Sequence, residues 1–395
     1  MSPQRLVMLV FFLQPVAFGS WLPRIPDIQA RLGLGPAELA LALLGMPIGI
    51  LLTLPFAGRL VAHVGARAGI QFGFAAFLVA VSLPAFAQNI YWLFGGLLLT
   101  GIAMSSLELG LNVIADETER ATGATIMSKC HGCWSLGMAL GSLIGVGLAA
   151  LGFAPQWSVL IVVALVIPGA VAVGRALPNW PPEAHPVHGG KSAGFFIPGP
   201  ILIGICAFAF GCTLVEGASA DWSAVYLRQV LGADAAAAGI GYTAFAVMVT
   251  AGRLLGDWMK IKWGPVTVAR TCSIVALIGV VLIVASPAYA VSLIGFALAG
   301  FGVSVAFPLA VTAVAGLGDR PAAANVAILS LITLTGFLLG PPIIGFIAQH
   351  VGLRAGLAVL LPGLVASVIL AGLLQRGRAA SLPQPLEALP IGNGK

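Results

Sequence analysis

Charge is what this chain has least of. Asp, Glu, Lys and Arg together make up 8% of its 395 residues, where a soluble domain carries about a quarter. With 59% hydrophobic residues and a mean hydropathy of +1.05, the apolar runs reach the length of about 20 residues that crosses a bilayer. An ordinary soluble domain is thereby excluded. No polar stretch is long enough to build a separate soluble core, so chemistry must take place within or between membrane helices. The net charge of +6 calls for no nucleic acid. Cysteine is also scarce: five residues, an odd number, lie in apolar segments and form no disulfide framework. Cys130 and Cys133 spell CHGC, open to packing or to a redox or metal role, but no second ligand pair accompanies them. No GxxxxGK[ST] phosphate loop is present, which speaks against ATP drive, and HExxH, GxSxG and GxGD are missing, which speaks against intramembrane catalysis. Nothing calls for a cofactor or a metal.

One long interruption breaks the apolar sequence, at residues 177–200. Rich in Pro, Gly and His and without an apolar period, it reads as a linker outside the bilayer. The segments on either side repeat at a shift of about 200 residues. Trp21 falls on Trp222, Leu32 and Gly33 on Leu231 and Gly232, Arg120 on Arg320, and Gly137, Gly141 and Gly145 on Gly336, Gly340 and Gly345. GRL at Gly58 recurs at Gly252. Tandem halves in a hydrophobic chain mark secondary transporters whose substrate site lies between the repeats. The expected organisation is a first bundle over 1–177, a linker over 178–200, a second bundle over 201–375 and a polar tail over 376–395.

All nineteen Lys and Arg except Arg24, Arg31, Arg228 and Arg354 fall on one side if the spans alternate. That asymmetry places both termini in the cytoplasm and requires an even number of spans. The first apolar run lacks a small-residue cleavage site after it and is kept as a span rather than a signal peptide. Twelve spans are predicted, near 6–19, 38–61, 68–87, 91–114, a fifth starting near 125, 157–177, a seventh starting near 201 whose apolar run is broken near its outer end by Glu216, Gly217 and Asp221, then 235–255, 265–285, 289–315, 325–348 and 355–375. After the first, two prolines predict a loop. ADETERATGA, from Ala115, predicts another, and Pro308 a kink in the tenth span.

Polar residues are unevenly shared. Spans 6 and 12 have almost none, whereas spans 1, 4, 5, 7, 10 and 11 hold most of them. Polar groups in a bilayer face protein or water, so those spans are expected to line a cavity. Glu108 in span 4 is the leading substrate or coupling carboxylate. Lys129 and His131 enter span 5 from the same side, and the three are expected to meet, either as a proton-sensitive cluster or as a static pair. His131, Trp134 and Asn112 are expected to form a polar and aromatic floor for a sugar-like ligand, each with packing as its plainer role, and Gln14 in span 1 is a similar candidate.

With the repeat, the span count and the two GRL turns, the chain resembles the major facilitator superfamily over nearly its whole length. The resemblance implies an all-α fold of about twelve transmembrane helices in two six-helix bundles, alternating access, and residence in the bacterial inner membrane. The family's GxLaDrxGrr loop is matched by Gly58, Leu60, Gly65 and Arg67, with Ala62 at the usual Asp position. Gly58, Arg59, Gly65, Arg67, Gly252, Arg253 and Asp257 are accordingly read as inner-gate turns, with Arg253 and Asp257 as a partial latch. GSWLPRIPDIQARLGLG, CHGCWSLGMALG and EGASADWSAVYL look like the YbjJ and rhizopine-permease branch, which implies a polyol- or amino-sugar-like solute. Arg24, Glu216, Asp221 and Trp222 lie at matching outer ends of spans 1 and 7 and suggest an ion-pair gate, or an ordinary solvated interface. The expected function is proton-coupled transport of a small polar solute by a monomer. Export of an amphiphilic or cationic compound, and a non-transporting sensor or scaffold, stand as rivals.

Overall fold

A computed structural model describes residues 1–180, 198–319 and 321–375, with backbone alone at 54, 55, 57–60, 62 and 323. Most of the linker, the tail and Arg320 lie outside the described residues, as do the surroundings of Gly58 and the side chain of Arg59. Among the described residues, twelve helices are long and apolar enough to span a membrane: α1 (Pro3–Leu32), α2 (Pro36–Thr53), α3 (Ala66–Phe86), α4 (Ile90–Thr122), α5 (Met127–Ala150), α6 (Pro155–Ala176), α7 (Pro200–Leu231), α8 (Ala235–Trp263), α9 (Pro265–Ala285), α10 (Tyr289–Ala315), α11 (Ala324–Val351) and α12 (Leu353–Gln375). Alternation brings the start of α1 and the end of α12 to one face, here the terminal face; the opposite one is the loop face.

Four helices outrun their predicted ends, each for a local reason. Pro23 and Pro26 do not interrupt α1. Each falls in the first turn of a new helical segment, where the missing N–H had no partner to lose. The helix therefore passes through a short 3₁₀ turn and stops at Gly33. The polar segment after Ile114 is the last two turns of α4, held by an ion pair between Arg120 and Asp116. In α7, Asp221 does not end the helix, which continues to Leu231. Gly33 and Gly232, matched in the repeat, close α1 and α7 with φ of 64° and 68°, backbone that only glycine adopts cheaply. Asp234 caps α8 by accepting from Ala237 N at 2.8 Å, and α8 then runs to Trp263. The break in α10 comes at Ser304–Val305. Pro308, four residues beyond Ser304, has no N–H to offer its carbonyl.

Within the first half, α5 is zipped onto α1. A Cβ on Gly137, Gly141 or Gly145 would collide with the carbonyl oxygens of Phe12, Val16 and Ser20 respectively. Such close backbone approach is how helices associate where lipid supplies no hydrophobic drive. Between the halves, α5 lies antiparallel along α8. Gly132 meets Leu254 near one end of the contact, and Val146 meets Gly239 near the other.

Candidate functional site between the halves

At mid-depth α5, α7 and α8 bring together residues from both halves. Glu216 lies near the middle of α7, roughly 24 Å of helix from either end. Its Oε1 accepts from Arg253 Nη2 of α8 at 3.0 Å. Arg253 Nη1 donates to Ser135 Oγ of α5 at 2.5 Å, so one guanidinium joins the halves. The Arg253 and Glu216 side chains are 23% and 25% exposed, a pair screened far less than one on the surface. With Trp134, Met138, Tyr242, Phe245, Ala246 and Val249 they line a half-open space of about 20 Å³, room for about one water. Tyr242 and Phe245 stack at 6.1 Å between ring centroids.

Beside this cluster, Trp134 Nε1 donates to Gln14 Oε1 at 3.1 Å. Glu108, half-buried in α4, faces these same two side chains. Gln14 is fully buried and its Nε2 donates to no protein atom. Asn112 turns back on its own helix, donating to the Glu108 carbonyl oxygen at 2.9 Å. The structure thus unites Gln14, Glu108 and Trp134, but Lys129 and His131 do not join them. Both are exposed near the terminal face. His131 instead makes an edge contact with Phe11, centroids 5.6 Å apart, and among the described residues Lys129 has no ion pair. Entering α5 within its first turns leaves both short of the depth of Glu108. Cys130 is buried and Cys133 half-buried, each a free thiol.

The expected outer ion-pair gate does not form. Arg24 is held inside the first half, 2.9 Å from Asp27, with bonds to Ser158 Oγ at 3.0 Å and the Phe153 carbonyl at 2.8 Å. Because α7 continues ten residues beyond Asp221, Glu216 belongs to the central cluster and Asp221 to the half-buried stretch above it. Trp222 is fully buried against Gly345 of α11. Neutral contacts close the loop face instead. Gln229 Nε2 donates to Gln29 Oε1 at 2.9 Å, the Ser142 and Thr243 hydroxyls lie 2.7 Å apart, and Gly239 packs on Pro23.

The inner-turn assignments divide. Gly65, with φ of 82°, is a turn, and Arg67 next to it donates to the Arg175 carbonyl at 2.5 Å. Gly58 and Arg59 lie within continuous helix. Gly252 is likewise helical and packs against Ser304 of α10, because the matching turn falls later, at Gly264, φ 79°. Arg253 is therefore a central residue. Asp257 pairs with Lys260 at 2.8 Å on the surface and latches nothing to Arg253. Counting from the Asp234 cap would have revealed the depth of Arg253; nothing in the sequence pointed to Tyr242 or Ser135.

A twelve-helix membrane fold with a polar cluster between two repeated halves defines a secondary-transporter architecture. The Major Facilitator Superfamily profile matches residues 7–315 and 218–391, and the chain belongs to that family. It is a multi-pass integral membrane protein, of the inner membrane in bacteria. It is 33% identical over 348 residues to an uncharacterized MFS-type transporter of Yersinia pestis, covering 88% of this chain and 89% of that protein. It is 31% identical over 371 residues to the uncharacterized transporter y4wD of Sinorhizobium fredii, covering 93% and 97%. Membrane protein MosC of Rhizobium meliloti is 28% identical over 356 residues, covering 90% and 86%. The fold is shared with a mutant of the nucleoside transporter NupG, at TM-score 0.75 and 15% identity over 95% of this chain and all of that one. It is also shared with a bacterial homologue of the lysosomal transporter Spinster, at 0.73 and 17% over 97% and 98%.

Proposed function

We propose that the protein is a secondary active transporter that carries a small polar solute by alternating access, coupled to protons, as a monomer with both termini in the cytoplasm. The observation that carries this reading is the bridge from Arg253 to Glu216 within the second half and to Ser135 in the first. A charged network that straddles two repeated bundles must be broken and remade whenever they move against each other. Its cavity is too small for a solute, so binding requires that movement. Intramembrane carboxylates and arginines are costly unless used or paired, and Glu108, with Gln14 and Trp134 beside it, is the coupling carboxylate of this proposal. Facing an excess of basic residues in the segments on its side, the terminal face is the cytoplasmic one.

The test is flux in proteoliposomes with an imposed proton gradient, across polyols, amino sugars, sugars and nucleosides. The expected result is gradient-driven accumulation of one class that Glu108→Gln uncouples. Gradient-driven, pH-dependent accumulation that survives Glu108→Gln would remove Glu108 from the coupling step. Accumulation indifferent to the gradient would remove proton coupling.

A further inference from the structure

Away from the central cluster, a groove of about 460 Å³ opens on the outside of the second half, between the terminal-face end of α8 and the start of α9. Its chemistry changes with depth. At the terminal-face rim stand Trp263, the last residue of α8, and Thr267 in the first turn of α9. Deeper in, Leu255, Thr271, Val275 and Phe301 line the walls and floor. From Leu255 to Trp263 the helix rises roughly 12 Å, so the groove runs from the membrane boundary into the apolar layer. Lys262 sits at the rim, its Nζ 5.0 Å from the Trp258 ring centroid and 5.2 Å from that of Trp263, and the two indoles meet edge to face at 5.2 Å. Among the described residues Lys262 has no carboxylate partner; the nearby Asp257 is taken by Lys260.

We infer that this groove binds an anionic phospholipid of the terminal-face leaflet, one acyl chain lying between α8 and α9 and the phosphate at Lys262. Tryptophans at the boundary anchor to the headgroup region. A basic pocket between helices at that level selects anionic headgroups. An apolar trough capped by an unneutralised cation matches an amphiphile whose charge sits at one end. A zwitterionic lipid would fill the trough but bring a quaternary ammonium with its phosphate, leaving no net negative charge to neutralise Lys262, and a free phosphate would meet the cation and leave the trough empty. The groove also backs onto the stretch of α8 that carries Arg253 and onto Phe301, just before the break in α10, so occupancy braces the helix that forms the bridge.

The test uses the full-length protein purified in mild detergent, with native mass spectrometry and thermal unfolding as readouts. Phosphatidylglycerol, phosphatidylcholine and glycerol 3-phosphate are added separately, to wild type and to Lys262→Gln, Thr271→Trp and, as a same-face charge control, Arg175→Gln. The expected result is retention of one phosphatidylglycerol and a rise in melting temperature that phosphatidylcholine and glycerol 3-phosphate do not reproduce. Lys262→Gln should lose the preference for phosphatidylglycerol, and Thr271→Trp, which fills the trough, should lose retention of either lipid. Arg175→Gln should behave as wild type. Equal retention of both lipids by wild type, a preference undiminished in Lys262→Gln, or an equal loss in Arg175→Gln would overturn the assignment.

Discussion

If the Arg253 bridge holds the two halves in the arrangement described, removing its first-half anchor should open the loop face. Ser135→Ala deletes the hydroxyl that accepts from Arg253 at 2.5 Å while leaving the Arg253–Glu216 pair in place. A hydrogen bond to a charged group contributes about 1.5–3 kcal/mol. Arg253 is about a quarter exposed, so water can replace part of the loss and the low end applies. About 1.5 kcal/mol is about a tenfold change in the ratio of closed to open forms. Ser142→Ala removes a neutral bond across the same pair of helices, and Thr243 keeps its own carbonyl partner at 3.3 Å. That change should cost about 0.5–1 kcal/mol, a two- to fivefold shift. Ala238 is fully buried beside Gly239, which packs on Pro23. Ala238→Cys therefore reports the closure, through its alkylation rate with a membrane-impermeant maleimide against the native-cysteine background. The expected order is Ser135→Ala above Ser142→Ala above the parent. A rate unchanged by Ser135→Ala would show that the bridge survives in both arrangements and refute its role as the tie between halves.

Further predictions follow from packing and charge. Gly141→Ala drives a methyl into the Val16 carbonyl and should cost about 1–3 kcal/mol, read as a lowered melting temperature. Gly340→Ala meets only the end of the Leu214 side chain at 3.2 Å and should be neutral or slightly stabilising, since alanine favours helix by up to about 1 kcal/mol. Glu216→Gln and Arg253→Met should each destabilise by leaving a partly buried charge unpaired, and the double variant by less than their sum. A double-mutant cycle of thermal stability giving additive effects would contradict the pair. Asp257→Asn alters an exposed pair with Lys260 and should move stability by no more than about 0.5 kcal/mol; a large loss would restore Asp257 to a structural latch.

The spans were legible because hydropathy and length are properties of contiguous sequence, and membrane helices must satisfy their backbone internally. Their ends were less legible. Proline was read as a stop at Pro23 and Pro26, where it begins a segment, and charge was read as a boundary at Asp221 and Asp116, where helix continues. Those errors moved the site. With α7 ending early, Glu216 seemed to lie near a surface, and with α8 ending at Leu255, Arg253 seemed to belong to a turn. Gln14, Glu108 and Trp134 stand out in the sequence as polar groups within apolar spans, and the structure brings the three side by side. Their partners depend on contacts across long sequence separations that no local pattern encodes. The repeat carried one such contact: Gln29 and Gln229 lie within one residue of equivalent positions, and they meet each other, as residues near a pseudo-twofold axis do.

The repeat is broken where the two halves have different mechanical tasks. Gly33 and Gly232 end equivalent helices with nearly the same φ, as do Gly65 and Gly264 at equivalent turns, so connection geometry has been kept. The glycine ladders have diverged. Gly137, Gly141 and Gly145 press α5 onto backbone of α1, whereas Gly336 and Gly340 meet side chains of Phe210 and Leu214 on α7, and Gly345 reaches across to Ala40 and Pro36 of α2. Backbone contacts cannot yield without moving a helix, while side-chain contacts repack at the cost of a rotamer. The α1–α5 contact is therefore the stiffer of the two ladders, and the α7–α11 contact the one that can repack. Ser135 lies on the helix with the backbone ladder and Glu216 on the helix that the side-chain ladder faces, although α7 and α8 are themselves held by backbone, at Gly211 against Gly363 and at Phe245 against Gly300. The Arg253–Glu216 pair lies wholly within the second half and Ser135 in the first, so a movement of the halves against each other would require only the bond to Ser135 to be exchanged.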